Sequence, residues 1–362
     1  MEQAVALEPR NAVYLGNLCE LCRQQGRLDD AIHAGERAIS ETASSAPALA
    51  NLGICYYDKK DYDKARSLQE RALSLDPDYI PALNNLGSIA KQNKELEVAQ
   101  EFYERVLAIK PDHVESLSNL GAVQLAAERL DESLATSARV LNINPHYAEA
   151  HCNVGAALTL LNRREEAHKA YTTATKIRPN YFQAILGLAK LYLADNKLFQ
   201  ALKTAQHAVQ IQPEDADGHA VLGDVQVALG ATDAAAAAFS AARGFDPEHI
   251  PSILSSGHLA VELGDFKEAD ACFHEVLRID EDNLSAKTSL ITTRKIEKDD
   301  TAFADLLNIS DEIDDMFDLK AIPLHFALGK GFEDLKEYAK AFEQYVAAVS
   351  YTHLTLPTIC SV

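Results

Sequence analysis

The 362 residues predict an all-α chain of tandem helix hairpins, and three series of positions predict it. Leu52-Gly53, Leu86-Gly87, Leu120-Gly121 and Val154-Gly155 stand 34 residues apart, and Leu222-Gly223 and Ser256-Gly257 return on the same grid after Leu188-Ala189. Small residues keep the same step at Ala31, Ala65, Ala99, Ser133, Ala167, Ala201, Ala235 and Ala269. Prolines do so at Pro77, Pro111, Pro145, Pro179, Pro213 and Pro247. A fixed period of this length marks stacked supersecondary units, each burying its apolar face on its neighbours.

One unit explains the others. In residues 80–113, Leu83, Leu86, Gly87 and Ala90 share one helical face, and Ala99, Phe102, Tyr103 and Val106 repeat the spacing in a second helix. Asn93-Lys94 is the turn between them. Gly26, Gly230, Gly264, Asn162 and Asn196 hold the equivalent place in other units, and these residue types tolerate a left-handed backbone. Gly and Ala on the facing surfaces let two helices approach. Each Pro ends the second helix because it cannot continue the hydrogen-bond ladder.

This pattern resembles the tetratricopeptide repeat in length and in its small, apolar and Pro positions. The resemblance covers residues 12–283 as eight consecutive units. It departs at the first family position, where Leu15, Leu49, Leu83, Leu117 and His151 replace the usual aromatic. His151 is expected to take a core place. The resemblance implies an α-solenoid, a right-handed superhelix with a concave groove.

Beyond the eight units the grid weakens. Residues 284–321 carry nine acidic side chains and two lysines between Glu297 and Lys320, which reads as a degenerate hairpin with an acidic outer face. A calcium loop at Asp311–Asp315 lacks the required turn Gly. The grid returns out of phase at Leu328-Gly329, Ala341, Tyr345 and Ala348, so 322–348 is a final repeat-like hairpin. At the start, Ala4 and Pro9 fall on second-helix positions, and residues 1–11 read as the remnant of a second helix whose partner is missing. Val349–Thr358 does not continue the repeat. It resembles one reading frame of a sequencing-library adapter, so 349–362 is read as a non-native tail, a point the coding DNA decides. The apolar faces near Ala4 and Phe342 are then expected to support self-association.

Composition excludes whole classes of function. The formal charge is 34 − 54 = −20, which repels a nucleic-acid backbone and an anionic membrane. No apolar run approaches the ~18–20 residues of a spanning helix. Six scattered cysteines suit a reducing compartment, and the first residues lack a basic segment before an apolar one, so the expected address is cytoplasmic. Cys19 and Cys22 form a C-x-x-C pair with no second pair to complete a zinc site, and they read as small apolar residues on one helix face. His146, His151 and Cys152 lie close in sequence, but their side chains are expected to diverge. No phosphate loop, H-E-x-x-H or G-x-S-x-G is present, so the chain is read as non-enzymatic, without cofactor or metal.

The candidate site is a fourth series. Asn17, Asn51, Asn85, Asn119 and Asn153 recur every 34 residues, then give way to Gly187 and Val221. On the first helix of each hairpin they are expected to form a ladder facing the groove. A carboxamide offers a donor and an acceptor, which matches the amides of an extended polypeptide. The series resembles the asparagine ladder of O-linked N-acetylglucosamine transferases, where it holds substrate polypeptide. Such a ladder can instead bond an adjacent helix. Leu324–Phe342 resembles the last repeat of bacterial tetratricopeptide-repeat sulfotransferases, whose sulfate-donor domain lies outside this sequence. Two expectations follow: a peptide-binding scaffold, or the substrate-recruiting arm of a transferase.

Overall fold

A computed structural model describes the backbone of residues 1–42, 44–312 and 321–360, with side chains described up to residue 350 except at 311 and 312. The described residues are helical and contain no strand. They fall into two compact units, Met1–Gly187 and Leu188–Val362.

In the first unit, α1 is Glu2–Leu7, and hairpins follow as α2 (Ala12–Gln24) with α3 (Leu28–Glu41), α4 (Ala46–Asp58) with α5 (Tyr62–Leu75), and α6 (Ile80–Gln92) with α7 (Leu96–Ile109). They continue with α8 (Val114–Ala126) and α9 (Leu130–Ile143), then α10 (Ala148–Leu160) and α11 (Arg164–Ile177). Helix α12 (Phe182–Ala194) runs through the division. The second unit continues with α13 (Leu198–Ile211), α14 (Ala216–Ala228) with α15 (Thr232–Phe245), and α16 (Ile250–Glu262) with α17 (Phe266–Ile279). Last come α18 (Leu284–Thr293), α19 (Thr301–Glu312), α20 (Ala321–Asp334) and α21 (Tyr338–Cys360).

Turn chemistry makes these hairpins. After each first helix one residue takes a positive φ: Gly26, Lys60, Lys94, Glu128, Asn162, Asn196, Gly230, Gly264 and, in the last hairpin, Lys336. Around Gly26 its N–H bonds Arg23 O at 3.0 Å and the Arg27 N–H bonds Cys22 O at 2.9 Å, which satisfies the last carbonyls of α2. The same pair of bonds closes α4 at Lys60 and Asp61. A left-handed Lys is strained where Gly is not. Lys60→Gly and Lys94→Gly should each raise stability by about 1 kcal/mol, read as a higher urea midpoint.

Second helices end two residues before the prolines. The residues between, Asp76, Lys110 and Asn144, leave the helical region with φ of −140°, −133° and −135°, because a following proline disfavours helical backbone. The freed proline carbonyls are reused: the Arg37, Arg105 and Arg139 guanidiniums donate to Pro9 O, Pro77 O and Pro111 O. First helices start on side-chain caps such as Asn11, Ser45, His113 and Asp215.

The core lies between the paired helices. A Cβ on Gly87 would stand 2.7 Å from the Tyr103 ring, one on Gly155 2.8 Å from Tyr171, and one on Gly257 2.6 Å from Phe273. Each glycine is therefore the floor on which a second-helix ring lies. Tyr171 rests on two floors, since Gly187 also meets it.

His151 departs from expectation. It is half-exposed rather than core, and its Nε2 lies 3.0 Å from Pro145 O. The imidazole finds a polar partner at the loop, which a buried place between helices would deny it. Cys152, beside it, is buried, and burial pushes its thiol up to about 12.

Residues 284–312 depart from the hairpin pattern. Helix α18 is only ten residues long, and an extended stretch leads to α19. Ile291, Ile296, Phe303, Leu306, Leu324, Leu328 and Phe332 form one cluster there. Its acidic run is not wholly an outer face. The Asp300 carboxylate is 9% exposed, pairs with Arg294 at 2.9 Å and caps α19 by accepting from the Phe303 N–H. Glu297, Asp299 and Asp305 are exposed. The remainder of the run, including Asp311–Asp315, lies outside the residues whose side chains are described. The same holds for the expected non-native tail from residue 351, whose backbone continues α21 to Cys360.

Candidate functional site

Within the first unit, consecutive first helices touch: α2 with α4, α4 with α6, α6 with α8, and α8 with α10. Among the described residues no such pairing links consecutive second helices. First helices therefore occupy the shorter, inner curve of the stack, and side chains projecting from them face one surface.

The five asparagines stand on this row of helices. Asn17 is exposed, and Asn51, Asn85, Asn119 and Asn153 are half-buried. They do not behave alike. The Asn51 Nδ2 donates to Gly16 O at 3.1 Å, and the Asn153 Nδ2 donates to Ser118 O at 3.0 Å. Each reaches back to the carbonyl just before the preceding ladder residue and clasps two first helices. Their Oδ1 atoms stay available. Among the described residues, the side-chain amides of Asn17, Asn85 and Asn119 make no hydrogen bond.

A cleft of about 300 Å³ opens between α2, α4, α6 and α8. Asn51 and Asn85 line it with Glu20, Arg23, Ile54, Ile80, Asn84, His113 and Glu115. The 34-residue series does not pick out several of these. Buried Asn84 donates to Glu115 Oε1 at 2.9 Å and accepts from Ser116 Oγ at 2.8 Å. These links span 31 and 32 residues, so they fall off the grid. The one visible signal is the doublet Asn84-Asn85.

Charge in the cleft is mostly internally paired. Arg23 binds Glu20 at 2.8 Å and Asp58 at 3.0 Å. That bond with Arg23, helped by Gln24, holds the Glu20 carboxyl below its ordinary range. His113 caps α8, its Nδ1 lying 3.3 Å from the Ser116 nitrogen and 2.9 Å from Ser116 Oγ. Burial lowers its pKa, against the opposing pull of Glu115. The cleft thus presents carboxamides, a neutral imidazole and the Glu115 carboxylate over apolar Ile54 and Ile80.

The second unit carries a different column on its first helices. Ser255 Oγ donates to Asp224 Oδ1 at 2.8 Å, and His258 Nε2 lies 3.0 Å from Ser289 Oγ. Burial raises the Asp224 pKa and lowers that of His258. Of the C-x-x-C pair, Cys19 and Cys22 are both buried on α2, but the sulfur in contact with Cys19 is that of Cys55. Among the described residues no helix is long and apolar enough to cross a membrane.

Tetratricopeptide-repeat family models match residues 44–112, 158–225 and 250–283. A tetratricopeptide repeat protein from Parabacteroides merdae is similar with a TM-score of 0.55 and 18% identity, over 68% of this chain and 98% of that one. The human IFIT1 dimer with m7Gppp-AAAA is similar with a TM-score of 0.61 and 14% identity, over 94% and 90%. The IFIT1 dimer with PPP-AAAA gives 0.61 and 16%, over 93% and 90%. At such identities the likeness concerns the fold alone. No curated protein matches the chain. The repeated helix hairpins, their small-residue contacts and three matched segments lead to one conclusion: the chain is a tetratricopeptide-repeat protein, an all-helical scaffold of the α-solenoid kind.

Proposed function

We propose that the first-helix face of the Met1–Gly187 unit binds an extended polypeptide through Asn17, Asn51, Asn85, Asn119 and Asn153. The observation that carries this reading is Asn85, whose half-buried carboxamide in the cleft has no partner among the described residues. Asn51 beside it is held by its clasp to Gly16 O, which fixes the direction of its free Oδ1. Neighbouring amides held at one repeat's spacing suit a ligand that repeats its own donors and acceptors, and a peptide backbone does so.

Magnitudes set the expected strength. Five bonds at ~1 kcal/mol each give about 5 kcal/mol, a dissociation constant near 0.2 mM before the cost of ordering the ligand. Useful affinity then needs side-chain anchors or a tether. The IFIT1 structures hold m7Gppp-AAAA and PPP-AAAA, but a chain of charge −20 with Glu20 and Glu115 in its cleft favours a polypeptide over a polyanion. Self-association belongs to the same reading, since Tyr338, Phe342 and Val346 stand exposed on α21.

The test replaces Asn51, Asn85 and Asn119 together by Ala. Binding of an unstructured peptide pool, followed by fluorescence anisotropy, should weaken at least tenfold while far-ultraviolet circular dichroism stays unchanged. Peptides methylated at backbone nitrogens should bind the parent chain as weakly as normal peptides bind the variant. Unaltered anisotropy would leave the ladder as an interhelical clasp. A recruiting arm of a transferase would use the same cleft, and the coding sequence downstream of residue 348 tests that version through the presence of a sulfate-donor loop.

A further inference from the structure

In four hairpins of the first unit, a first-helix glycine faces a larger second-helix side chain: Gly53 meets Gln69, Gly87 meets Tyr103, Gly121 meets Ser137 and Gly155 meets Tyr171. The α2/α3 hairpin reverses the pair. Cys19 stands 34 residues before Gly53, in the glycine column, and Gly35 stands 34 before Gln69, in the larger column. A Cβ on Gly35 would lie 3.1 Å from the Cys19 sulfur and 2.8 Å from Leu52 Cδ1, so the thiol and Leu52 fill the space a ring takes elsewhere. One helix further on, Cys55 occupies the core position held by Ile89 and Val123 in later repeats. These two departures bring the sulfurs to 3.5 Å, with both residues at 0% exposure. The Cys55 thiol also donates to Asn51 O at 3.2 Å, in the wall that carries the ladder.

We propose that Cys19 and Cys55 are an oxidative cross-linking site, joined as a disulfide that ties α2 to α4 when the protein meets a peroxide. The steps balance. One sulfur, as thiolate, attacks a peroxide oxygen, forming an S–O bond, breaking O–O and releasing hydroxide, which takes up the thiol proton as water. The second sulfur then attacks the sulfenic sulfur, forming S–S and expelling the hydroxyl with the second thiol proton as another water. Two thiols are oxidised and one hydrogen peroxide is reduced to two waters. A disulfide needs about 2.04 Å between sulfurs, so the pair must close by roughly 1.5 Å. Both thiols are out of water, and the hydrogen bond that the Cys19 thiol donates to the Cys55 sulfur, together with burial, holds it above its ordinary range. Oxidation therefore follows local opening of α2/α3 from α4 and is slow.

The experiment treats the full chain with hydrogen peroxide under native conditions, blocks remaining thiols, and maps the digest by mass spectrometry. Expected is one linked pair of peptides holding Cys19 and Cys55, lighter by two hydrogens and separated by a phosphine reductant. Cys55→Val, which installs the residue of the later repeats, and Cys19→Ala should each abolish the link, whereas Cys22→Ala should leave it. In urea the same treatment should scatter the links among all cysteines. The mapping of the parent chain stands even where a variant fails to fold. A link through Cys22, sulfinic acid at Cys19 or Cys55 without cross-linking, or no native reaction would each overturn the proposal.

Discussion

Gly257→Ala should lower stability by about 2–3 kcal/mol, although alanine is the better helix former. The added Cβ would stand 2.6 Å from a ring carbon of Phe273, which has no exposed surface into which to retreat. Gly87→Ala repeats the conflict against Tyr103, whose hydroxyl is also bonded to Ser88 Oγ at 3.1 Å. Helix propensity alone would give the opposite sign, and Gly244 supplies that control. It lies exposed on α15 with nothing within 4 Å of an added Cβ, so Gly244→Ala should gain up to about 1 kcal/mol. Urea unfolding followed by circular dichroism reads all three. Combining Gly257→Ala with Phe273→Leu should cost less than the sum of the separate changes, because the two atoms in conflict are then no longer both present. Equal losses at Gly244 and Gly257 would mean that the close approach is not what selects glycine.

The hairpins were legible because their determinants repeat. A small residue every 34 positions is a statement about helix approach, and a proline every 34 is one about helix ends. Where a determinant does not repeat, sequence reading stops short. Lys60, Lys94 and Glu128 adopt the left-handed turn without being Gly or Asn, since the closing bonds to carbonyls such as Tyr57 O and Tyr56 O outweigh the strain. The larger column is broken at Gly35, Gln69 and Ser137, so its partnership with the glycines emerges only from coordinates. Among the site residues, the five asparagines could be placed on first helices from their spacing. Which amides are clasped could not, because the bonds of Asn51 and Asn153 depend on the stagger between neighbouring helices. Asn84 stayed hidden for the same reason: its partners Glu115 and Ser116 stand 31 and 32 residues away, off the 34-residue repeat.

Alkaline pH should open the first unit at its tyrosines before the rest of its chemistry changes. Tyr103 and Tyr171 are buried on α7 and α11, and burial, the first cause in both, holds their phenols well above the ordinary tyrosine value. Nearby acids and thiols push the same way, Glu115 on Tyr103 and Cys152 on Tyr171, while hydrogen bonds with Ser88 and Thr159 oppose them. The sign follows from linkage. The folded value is raised, so the stabilising contribution is whole below the unfolded pKa near 10 and is lost as pH climbs towards the folded one. Two phenols that ionise only on unfolding would together remove about 2 kcal/mol between roughly pH 10 and 11. Phenolate absorbance should therefore rise in two stages, exposed tyrosines first and then a cooperative step that coincides with loss of helix signal. Tyr103→Phe and Tyr171→Phe should each shift that second step to higher pH, even though each gives up a hydroxyl contact worth about 1 kcal/mol at neutral pH. If the variants lost their helices at the same pH as the parent chain, these rings would not be the groups whose burial limits the fold in base.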